Sequence, residues 1–321
     1  MADQDTARQA EPPLLSIVVP VYRSEATLGQ LHQRVSQSLD EAGISFELIF
    51  VEDCGGDGSW SVIECLIAGD PRVKGIQFTR NFGQHAATIC GLSRSQGTWA
   101  VTLDDDLEHP PEKIPALLEH AAQGHDIVYG IYPTRSHRWW RNLTSRIGKV
   151  LFKIAIPSLS DKYTSFRLIR GDIARGITVF DSPFPFVDGY LAWLTNRVGS
   201  VEVPHLARQS GASNYNFRKL LAHTFNIFVT FSDLPLRLAS WLGIATFLFS
   251  LVLIAYVLYG RITGLIEVSG FASIMAALAF FGGIQLLVLG VFGEYLGRMN
   301  FKSSRKPLFL VREAAGIWEQ R

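Results

Sequence analysis

The sequence predicts an α/β domain with a mostly parallel sheet, followed by two membrane-spanning helices. Short β-rich runs alternate with amphipathic stretches over residues 14–131, which is the pattern of consecutive βαβ units. Two long uncharged runs lie in the C-terminal third of the 321-residue chain. The 30 Lys and Arg residues nearly balance the 29 Asp and Glu residues, so no global field favours nucleic acid as a partner.

Five strands and four helices are predicted in alternation. The strands are Leu14–Val21, Glu47–Glu52, Gly75–Thr79, Trp99–Leu103 and Asp126–Tyr129, and the helices are Ala26–Glu41, Ser59–Ala68, Gln84–Ser95 and Pro111–Ala122. Such an order places ligand sites at the carboxyl ends of the strands. The three cysteines have no C-x-x-C spacing, which argues against a disulfide framework or a zinc site and favours a reducing compartment.

The two uncharged runs are Leu238–Tyr259 and Val268–Gly293. The shorter run would be roughly 33 Å long as a helix, enough to cross a hydrocarbon core, and two consecutive runs disfavour the alternative of buried core helices. The connector Gly260–Glu267 carries one Arg and one Glu, whereas basic residues flank the outer ends at Arg218, Lys219, Arg237, Arg298, Lys302, Arg305, Lys306 and Arg312. The positive-inside rule therefore places both termini in the cytoplasm.

These features divide the chain into four expected parts. They are a flexible N-terminus without signal-peptide character over 1–13, a cytoplasmic α/β domain over 14–235, the two spans over 236–293, and a cytoplasmic tail over 294–321. Within the domain we expect interfacial helices at about 136–156 and 215–234. The first of these stretches mixes basic and aromatic residues, and its alternative is an ordinary surface helix packed on the sheet.

The most acidic segment, Asp104-Asp105-Asp106, directly follows a predicted strand. Neighbouring carboxylates repel one another, so a bound cation is one way to keep them ionised. Hard oxygen ligands favour Mg²⁺ or Mn²⁺, and such a cation is often shared with a diphosphate. The alternative is a solvated acidic turn.

A second acidic turn, Glu52–Ser59, follows another predicted strand. Its glycines allow the backbone to approach a ligand, and Asp53 lies where a carboxylate can accept from a base N–H or a ribose hydroxyl. The turn has neither the G-K-[ST] ending of a P-loop nor the G-x-G-x-x-G spacing of a dinucleotide site. Asp57 or Ser59 can also cap the following helix, which is compatible with a binding role.

Seven segments together resemble a known family. They are Ser16–Tyr22 followed by Glu25, Glu52–Ser59, Arg80–His85, Asp104–Glu112, Ser165–Leu168, Arg208–Tyr215 and Gly293–Arg298. In this order they are similar to the family 2 glycosyltransferases of GT-A fold, and within them to the polyprenyl-phosphate glycosyltransferases. That group includes dolichol-phosphate mannose synthase and the bacterial undecaprenyl-phosphate aminoarabinose and glucosyl transferases. The resemblance extends over roughly residues 14–312, including both predicted spans.

The resemblance implies a role for each matching residue. It assigns the nucleotide-sugar to Pro20, Tyr22, Glu25, Asp53, Arg80, Gln84, Asp104 and Asp105, and an Mg²⁺ or Mn²⁺ ion to Asp106 and Glu108. It assigns catalysis to Asp106 and Asp161, with Asp161 as base or orienting group. It assigns the acceptor phosphate to Arg135, Arg138, Arg208, Ser213 and Tyr215.

The resemblance further implies a reaction and a setting. A single sugar would pass, with inversion, from a nucleotide-sugar donor, UDP being favoured over GDP, to undecaprenyl phosphate. The product would serve cell-surface glycan or lipid A modification. The enzyme would lie in the bacterial inner membrane, with a homo-oligomer, specifically a tetramer, expected.

Three departures from the family pattern leave alternatives open. The usual D-A-D-x-Q has Asp105 and Glu108 here, the usual D-D-G-S is Glu52-Asp53-Cys54-Gly55, and a usual Lys is Asn214. These changes motivate the alternative of a non-catalytic membrane partner that keeps the fold. A processive polysaccharide synthase is a second alternative, which the presence of only two spans and the lack of a Q-x-x-R-W signature disfavour.

Overall fold

The computed structural model describes residues 13–132, 156–160, 163–180, 182, 184–204, 226, 228–232, 234–263, 270–304 and 306–316. The expected flexible N-terminus and most of the expected interfacial helices lie outside the described residues, so these expectations stay predictions. The chain divides into two compact units. The first comprises Met1–Asp181, Pro185–Phe217 and Pro307–Arg321, and the second comprises Ser182–Phe184 and Arg218–Lys306.

The first unit contains an α/β sheet with helices between the strands. Its strands are β1 (Leu15–Val21), β2 (Phe46–Glu52), β3 (Val73–Phe78), β4 (Trp99–Thr102), β5 (Ile127–Ile131), β6 (Arg167–Arg170), β7 (Val198–Glu202) and β8 (Val311–Ala315). Its helices are α1 (Leu28–Glu41), α2 (Ser59–Gly69), α3 (Gln84–Ser93), α4 (Ile114–Ala121), α5 (Gly171–Gly176) and α6 (Val187–Leu194), with 3₁₀ turns at Pro111–Lys113 and Ile177–Val179. All five predicted strands and all four predicted helices are present.

The strands form one sheet in the order β7-β5-β6-β4-β1-β2-β3-β8. Its centre is parallel, since β1 pairs in parallel with both β2 and β4, and β2 pairs in parallel with β3. Every residue of β1 and β2 is buried, as expected for parallel strands covered on both faces. The carboxyl ends of β1, β2 and β4 therefore meet at one edge of the sheet.

The strand β6 interrupts the parallel order. It pairs antiparallel with both β4 and β5, with Thr102 opposite Arg167. The Thr102 hydroxyl also donates to the carbonyl of Ser165. This insertion brings the segment before β6 alongside the carboxyl end of β4, where the predicted acidic turn begins.

A buried ion pair holds β6 to α6. The Arg167 guanidinium contacts the Asp188 carboxylate, and the Tyr129 hydroxyl donates to the same carboxylate oxygen at 3.1 Å. The side chains of Arg167 and Asp188 are only 3% and 6% exposed. Removing one partner of such a pair leaves an uncompensated buried charge, so the pair is costly to break.

The C-terminal segment differs from the expected tail. Residues 294–303 continue a long helix, and β8 then pairs antiparallel with β3 as the last strand of the sheet. The Phe309 ring stacks on Phe78 at a centroid distance of 5.3 Å, and the Thr79 amide donates to the carbonyl of Leu310 at 3.0 Å. The segment after this long helix is thus part of the α/β unit, because it satisfies the open hydrogen-bonding edge of β3.

The second unit is built on two long helices, α7 (Leu234–Ile262) and α8 (Phe271–Ser303). Their stretches Leu234–Val257 and Phe280–Asn300 are long and apolar enough to cross a membrane. The core helix of a soluble protein would be mostly buried, whereas Trp241 and Leu286 are 69% and 71% exposed. This exposure favours association with a membrane.

Side chains near the end of α8 bind the segment that precedes α7. The Tyr295 hydroxyl donates to the carbonyl of Ser232 at 2.6 Å, and the Arg298 guanidinium donates to the Thr230 hydroxyl at 2.6 Å and to Glu294 at 2.8 Å. The Gly293–Arg298 motif therefore joins elements within the second unit.

We expect Asp188→Ala to lower the free energy of unfolding of the first unit by about 3 to 5 kcal/mol, because Arg167 would stay buried without its partner. The measurement is denaturant unfolding of the detergent-solubilised protein. Asp172→Ala is the matched control, since it removes an exposed ion pair with Arg170 and should cost less than about 1 kcal/mol. Equal losses for the two variants would contradict this interpretation of the buried pair.

Candidate active site

A polar pocket of about 250 Å³ lies at the carboxyl edge of the parallel strands. It is lined by Pro20, Val21, Tyr22, Asp53, Asn81, Gly83, Gln84, Asp104, Asp105 and Asp106. Seven of these were predicted from the sequence as donor-binding or metal-binding residues. The parallel pairing of β4, β1 and β2 brings them together from segments distant in the chain.

Asp53 is fixed by the loop that precedes α3. One carboxylate oxygen accepts the Phe82 amide at 2.6 Å, and the other accepts the Gly83 amide at 2.8 Å. Gly83 has a φ of 95°, a conformation that strongly favours glycine. Burial raises the pKa of the Asp53 carboxyl, while the two amide hydrogen bonds act in the opposite direction. The second lone pair of each oxygen can still accept from a ligand.

Asp105 is oriented toward the loop after β1. Its Oδ2 atom accepts the Tyr22 amide at 2.9 Å and the Ser24 hydroxyl, and its carbonyl accepts the Thr27 hydroxyl at 2.7 Å. Burial raises the pKa of Asp105 to about 6, with a smaller contribution from the neighbouring aspartates. The carboxylate that departs from the family pattern thus joins two loops of the pocket.

Asp104 lies at the start of the acidic turn and is held through both carboxylate oxygens. Oδ1 accepts the Gln84 side-chain amide at 2.7 Å, and Oδ2 accepts the Ser165 hydroxyl at 2.7 Å. The Asp104 amide donates to Nδ1 of His109 at 3.0 Å. Three different segments therefore converge on this aspartate.

Asp106 and Glu108 lie on the same partly exposed turn. Leu107 between them is 2% exposed, belongs to the apolar core and has a φ of 64°, and the Asp106 carboxylate accepts the Glu108 amide at 3.1 Å. Within the described ranges, no three His, Cys, Asp or Glu side chains converge as a metal cluster. Asp106 lines the pocket, whereas Glu108 is not among its lining residues. Two carboxylates on one turn suit Mg²⁺ or Mn²⁺, which bind through one or two protein carboxylates when a phosphate supplies further oxygens.

Two predicted donor-binding residues lie outside the pocket lining. The Glu25 carboxylate accepts the Gly58 amide at 3.1 Å, and a Cβ atom at position 58 would lie 2.6 Å from the Glu25 carboxyl carbon. The Glu25 carboxylate therefore lies at the N-terminus of α2, where the helix dipole favours a negative charge. The Arg80 guanidinium lies 4.7 Å from the centroid of the Phe82 ring. Asp161, Arg135, Arg138, Arg208, Ser213 and Tyr215 lie outside the described residues, and their roles stay predictions.

Three residues of this site had no role in the sequence analysis. Ser24 binds Asp105, whereas Ser165 and His109 bind Asp104. Ser165 was part of a recognised motif, and His109 lies within the run after the acidic turn, so both were visible in sequence. Their contacts were not. The Ser165 contact depends on the antiparallel insertion of β6, and the His109 contact depends on the conformation of the acidic turn itself.

The profile of the family described as Glycosyl transferase family 2 matches residues 16–178, which include the pocket. The chain belongs to glycosyl transferase family 2. This glycosyltransferase thus has the expected GT-A-like α/β fold with a mostly parallel sheet.

Full-length relatives extend the match through both long helices. The glycosyltransferase is 32% identical over 311 residues to the uncharacterized glycosyltransferase YkcC of Bacillus subtilis (strain 168), covering 95% of each chain. It is 33% identical over 304 residues to the undecaprenyl-phosphate 4-deoxy-4-formamido-L-arabinose transferase of Pseudomonas aeruginosa (strain LESB58), covering 93% of this chain and 89% of that one. It is 29% identical over 300 residues to the bactoprenol glucosyl transferase of Shigella phage SfV, covering 93% and 98%.

A solved structure supports the fold assignment. Glucosyl-3-phosphoglycerate synthase from Mycobacterium tuberculosis, in complex with phosphoglyceric acid, aligns with a TM-score of 0.50 at 18% identity. The alignment covers 68% of this chain and 79% of that one. At this identity the similarity concerns the fold alone.

We expect Asp105→Asn to keep glycosyl transfer within about threefold of the unsubstituted enzyme and Asp105→Ala to reduce it at least tenfold. The Asn side-chain oxygen can accept the same two hydrogen bonds from Tyr22 and Ser24, whereas Ala cannot, and each lost buried bond costs on the order of 1 kcal/mol. Initial rates at saturating donor measure the difference. If Asn abolishes transfer as fully as Ala does, the negative charge itself is required and the loop-joining role is wrong.

Proposed function

We propose that this glycosyltransferase transfers a single sugar from a nucleotide-sugar, with UDP favoured over GDP, to a polyprenyl phosphate such as undecaprenyl phosphate. One observation carries the proposal. The chain has a pocket lined by Asp53 and the acidic turn, and it aligns through both long helices with an undecaprenyl-phosphate sugar transferase. The product would be a lipid-linked sugar for cell-surface glycan or lipid A modification.

The donor nucleoside would bind at the Asp53 side of the pocket. Asp53 is held rigidly by the amides of Phe82 and Gly83, so a remaining lone pair can accept from a base N–H or a ribose hydroxyl. Tyr22 is 46% exposed at the pocket and can provide an aromatic surface for the base. Pro20 lies in the buried strand β1, which ends at Val21 directly before Tyr22.

The donor diphosphate would lie at the acidic turn. Asp106 and Glu108 would hold Mg²⁺ or Mn²⁺, which stabilises the negative charge of the departing nucleoside diphosphate. The Asp104 carboxylate accepts hydrogen bonds from Gln84 and Ser165, and the Asp105 carboxylate accepts them from Tyr22 and Ser24. These two carboxylates therefore shape the turn. The hydrogen bond from Glu108 to Asp106 keeps the two proposed ligand residues on one short turn.

The reaction would be a single displacement with inversion. A phosphate oxygen of the acceptor forms the bond to the anomeric carbon, and the bond from that carbon to the donor diphosphate breaks. The acceptor is already anionic, so Asp161 would mainly orient it or accept a residual proton. Arg135, Arg138, Arg208, Ser213 and Tyr215 would hold its phosphate by charge-assisted hydrogen bonds.

The test of this function is the identity of the product. Membranes containing the enzyme are incubated with undecaprenyl phosphate, Mg²⁺ or Mn²⁺ and a panel of nucleotide-sugars, and the lipid is identified by mass. One added sugar per lipid supports the proposal. A polymer supports a processive synthase, and the absence of any product with every donor supports the non-catalytic alternative.

Asp106→Ala should reduce product formation at least a hundredfold, because the diphosphate would lose a ligand of its cation. Calorimetry of UDP binding with and without Mn²⁺ provides a second measurement, in which the Mn²⁺-dependent gain in affinity should be lost. Asp105→Asn on the same turn is the matched control and should keep that gain. Transfer that survives both Asp106→Ala and EDTA would refute the metal-assisted mechanism.

Arg208→Ala should strongly reduce transfer and leave donor affinity unchanged, and Arg208→Lys should restore transfer only in part because the guanidinium fork is lost. The reason is that Asn214 replaces a family lysine, which leaves Arg208 with more of the phosphate charge to bind. Arg197→Ala, which removes an arginine paired with Asp126, is the control and should be active. Loss of donor binding in Arg208→Ala would assign this arginine to the donor diphosphate instead.

We also propose that the enzyme lies in the bacterial inner membrane with both termini and the α/β unit in the cytoplasm. In a background without Cys54, Cys65 and Cys90, Thr263→Cys should react with an impermeant thiol reagent in intact cells, whereas Ser304→Cys should react only after permeabilisation. The reverse pattern would contradict this orientation. Light scattering in detergent measures the proposed homo-oligomer, for which the family resemblance implies a tetramer.

A further inference from the structure

His109 is a buried histidine beside the pocket that the proposed mechanism does not use. It is 4% exposed and directly follows the proposed metal ligand Glu108. Its ring is nearly parallel to the rings of Phe166, at a centroid distance of 5.4 Å, and Tyr132, at 6.2 Å. It does not line the pocket, so any effect on the donor must pass through another residue.

The hydrogen bonds of His109 define its tautomer. Nδ1 accepts the Asp104 amide at 3.0 Å, so the proton of the neutral ring is on Nε2. Nε2 lies 3.4 Å from the Ser165 hydroxyl oxygen and 3.6 Å from Oδ2 of Asp104. Since the Ser165 hydroxyl itself donates to that Oδ2 atom at 2.7 Å, the three side chains form a closed triangle.

This triangle controls both the backbone and the side chain of Asp104. His109 binds the amide of Asp104, and Ser165 binds its carboxylate from the β6 side. Gln84 binds the other carboxylate oxygen from the start of α3. Because Asp104 begins the turn that carries Asp106 and Glu108, the direction of its backbone sets where those two carboxylates lie.

We propose that His109 is a positioning residue of the donor site. Its neutral ring accepts the Asp104 amide and so connects the two ends of the segment Asp104–His109. Together with Ser165, it fixes the acidic turn in the geometry that receives the donor diphosphate. The ring acts as a hydrogen-bond acceptor of fixed direction, which stacking on Phe166 and Tyr132 maintains. This inference rests on the proposed function and names a determinant of the same site.

The substitutions His109→Phe and His109→Asn separate hydrogen bonding from packing. Phe keeps a stacked ring but has no acceptor, so binding of the nucleoside diphosphate with Mn²⁺ should weaken about tenfold or more. Asn can place its side-chain oxygen near the Nδ1 position and should recover most of that affinity. The probe is UDP or GDP, whichever the unsubstituted enzyme binds, measured by calorimetry. His120→Phe is the matched control, since His120 stacks on His125 away from the pocket and should leave binding unchanged.

Ser165→Ala provides an independent arm of the test. If His109 and Ser165 act through Asp104 as one unit, adding Ser165→Ala to His109→Phe should cost much less than Ser165→Ala alone. Where His109→Phe does not fold, His109→Gln replaces it, because its amide reaches toward the Nε2 position and should rescue less than Asn. Thermal unfolding measured on every variant separates affinity from stability.

Two results would overturn the inference. One is unchanged nucleotide affinity in His109→Phe, and the other is an equal loss in Asn, Phe and Gln variants that follows their loss of thermal stability. Either outcome would make His109 a packing residue only. Nucleotide affinity is measured without the lipid, so a failure to form the lipid product would refute the proposed function while the result for His109 still stands.

Discussion

The parallel pairing of β4, β1 and β2 determines the rest of this site, because it forces four acidic residues onto one edge of the sheet. Carboxylates in such proximity destabilise one another unless each is compensated. Hydrogen-bond donors from other segments compensate three of them. Asp53 accepts the amides of Phe82 and Gly83, and Asp104 accepts the side chains of Gln84 and Ser165. Asp105 accepts the Tyr22 amide and the Ser24 hydroxyl. The loops around the pocket are therefore held by the same charges that make the pocket acidic.

The acidic residues consequently have two kinds of task. Asp104 and Asp105 bind neighbouring loops and give the turn its shape, whereas Asp106 and Glu108 lie together on the partly exposed part of that turn. Leu107 lies between Asp106 and Glu108, with its side chain buried in the core and its backbone in a left-handed conformation. The turn that carries the two proposed metal ligands is thus anchored to the core by the apolar residue between them.

The sequence predicted the parallel half of the fold and the location of the pocket, because both depend on local patterns: short apolar strands, amphipathic helices and acidic turns at strand ends. It did not predict β6, β7 or β8. Each has only four or five residues, and their pairings join segments distant in the chain, such as Gln77 with Glu313. For the same reason the sequence did not indicate that the Asp105 carboxylate binds the loop after β1, which is distant in the chain. The contact of His109 with Asp104 is local but depends on the conformation of the turn, in which Leu107 has a positive φ, and this was not visible in the sequence.

The position of β8 has a consequence for biosynthesis. The strand that completes the sheet begins at Val311, so the ribosome makes it after both long helices. Until then β3, with the sequence Val-Lys-Gly-Ile-Gln-Phe, presents an edge of unpaired amides and carbonyls that can pair with other chains. The α/β unit can begin to fold as soon as it is synthesised, but its sheet is closed only after both apolar helices have emerged. Completion of the catalytic fold is in this way delayed until the chain has made the parts that would insert into the membrane.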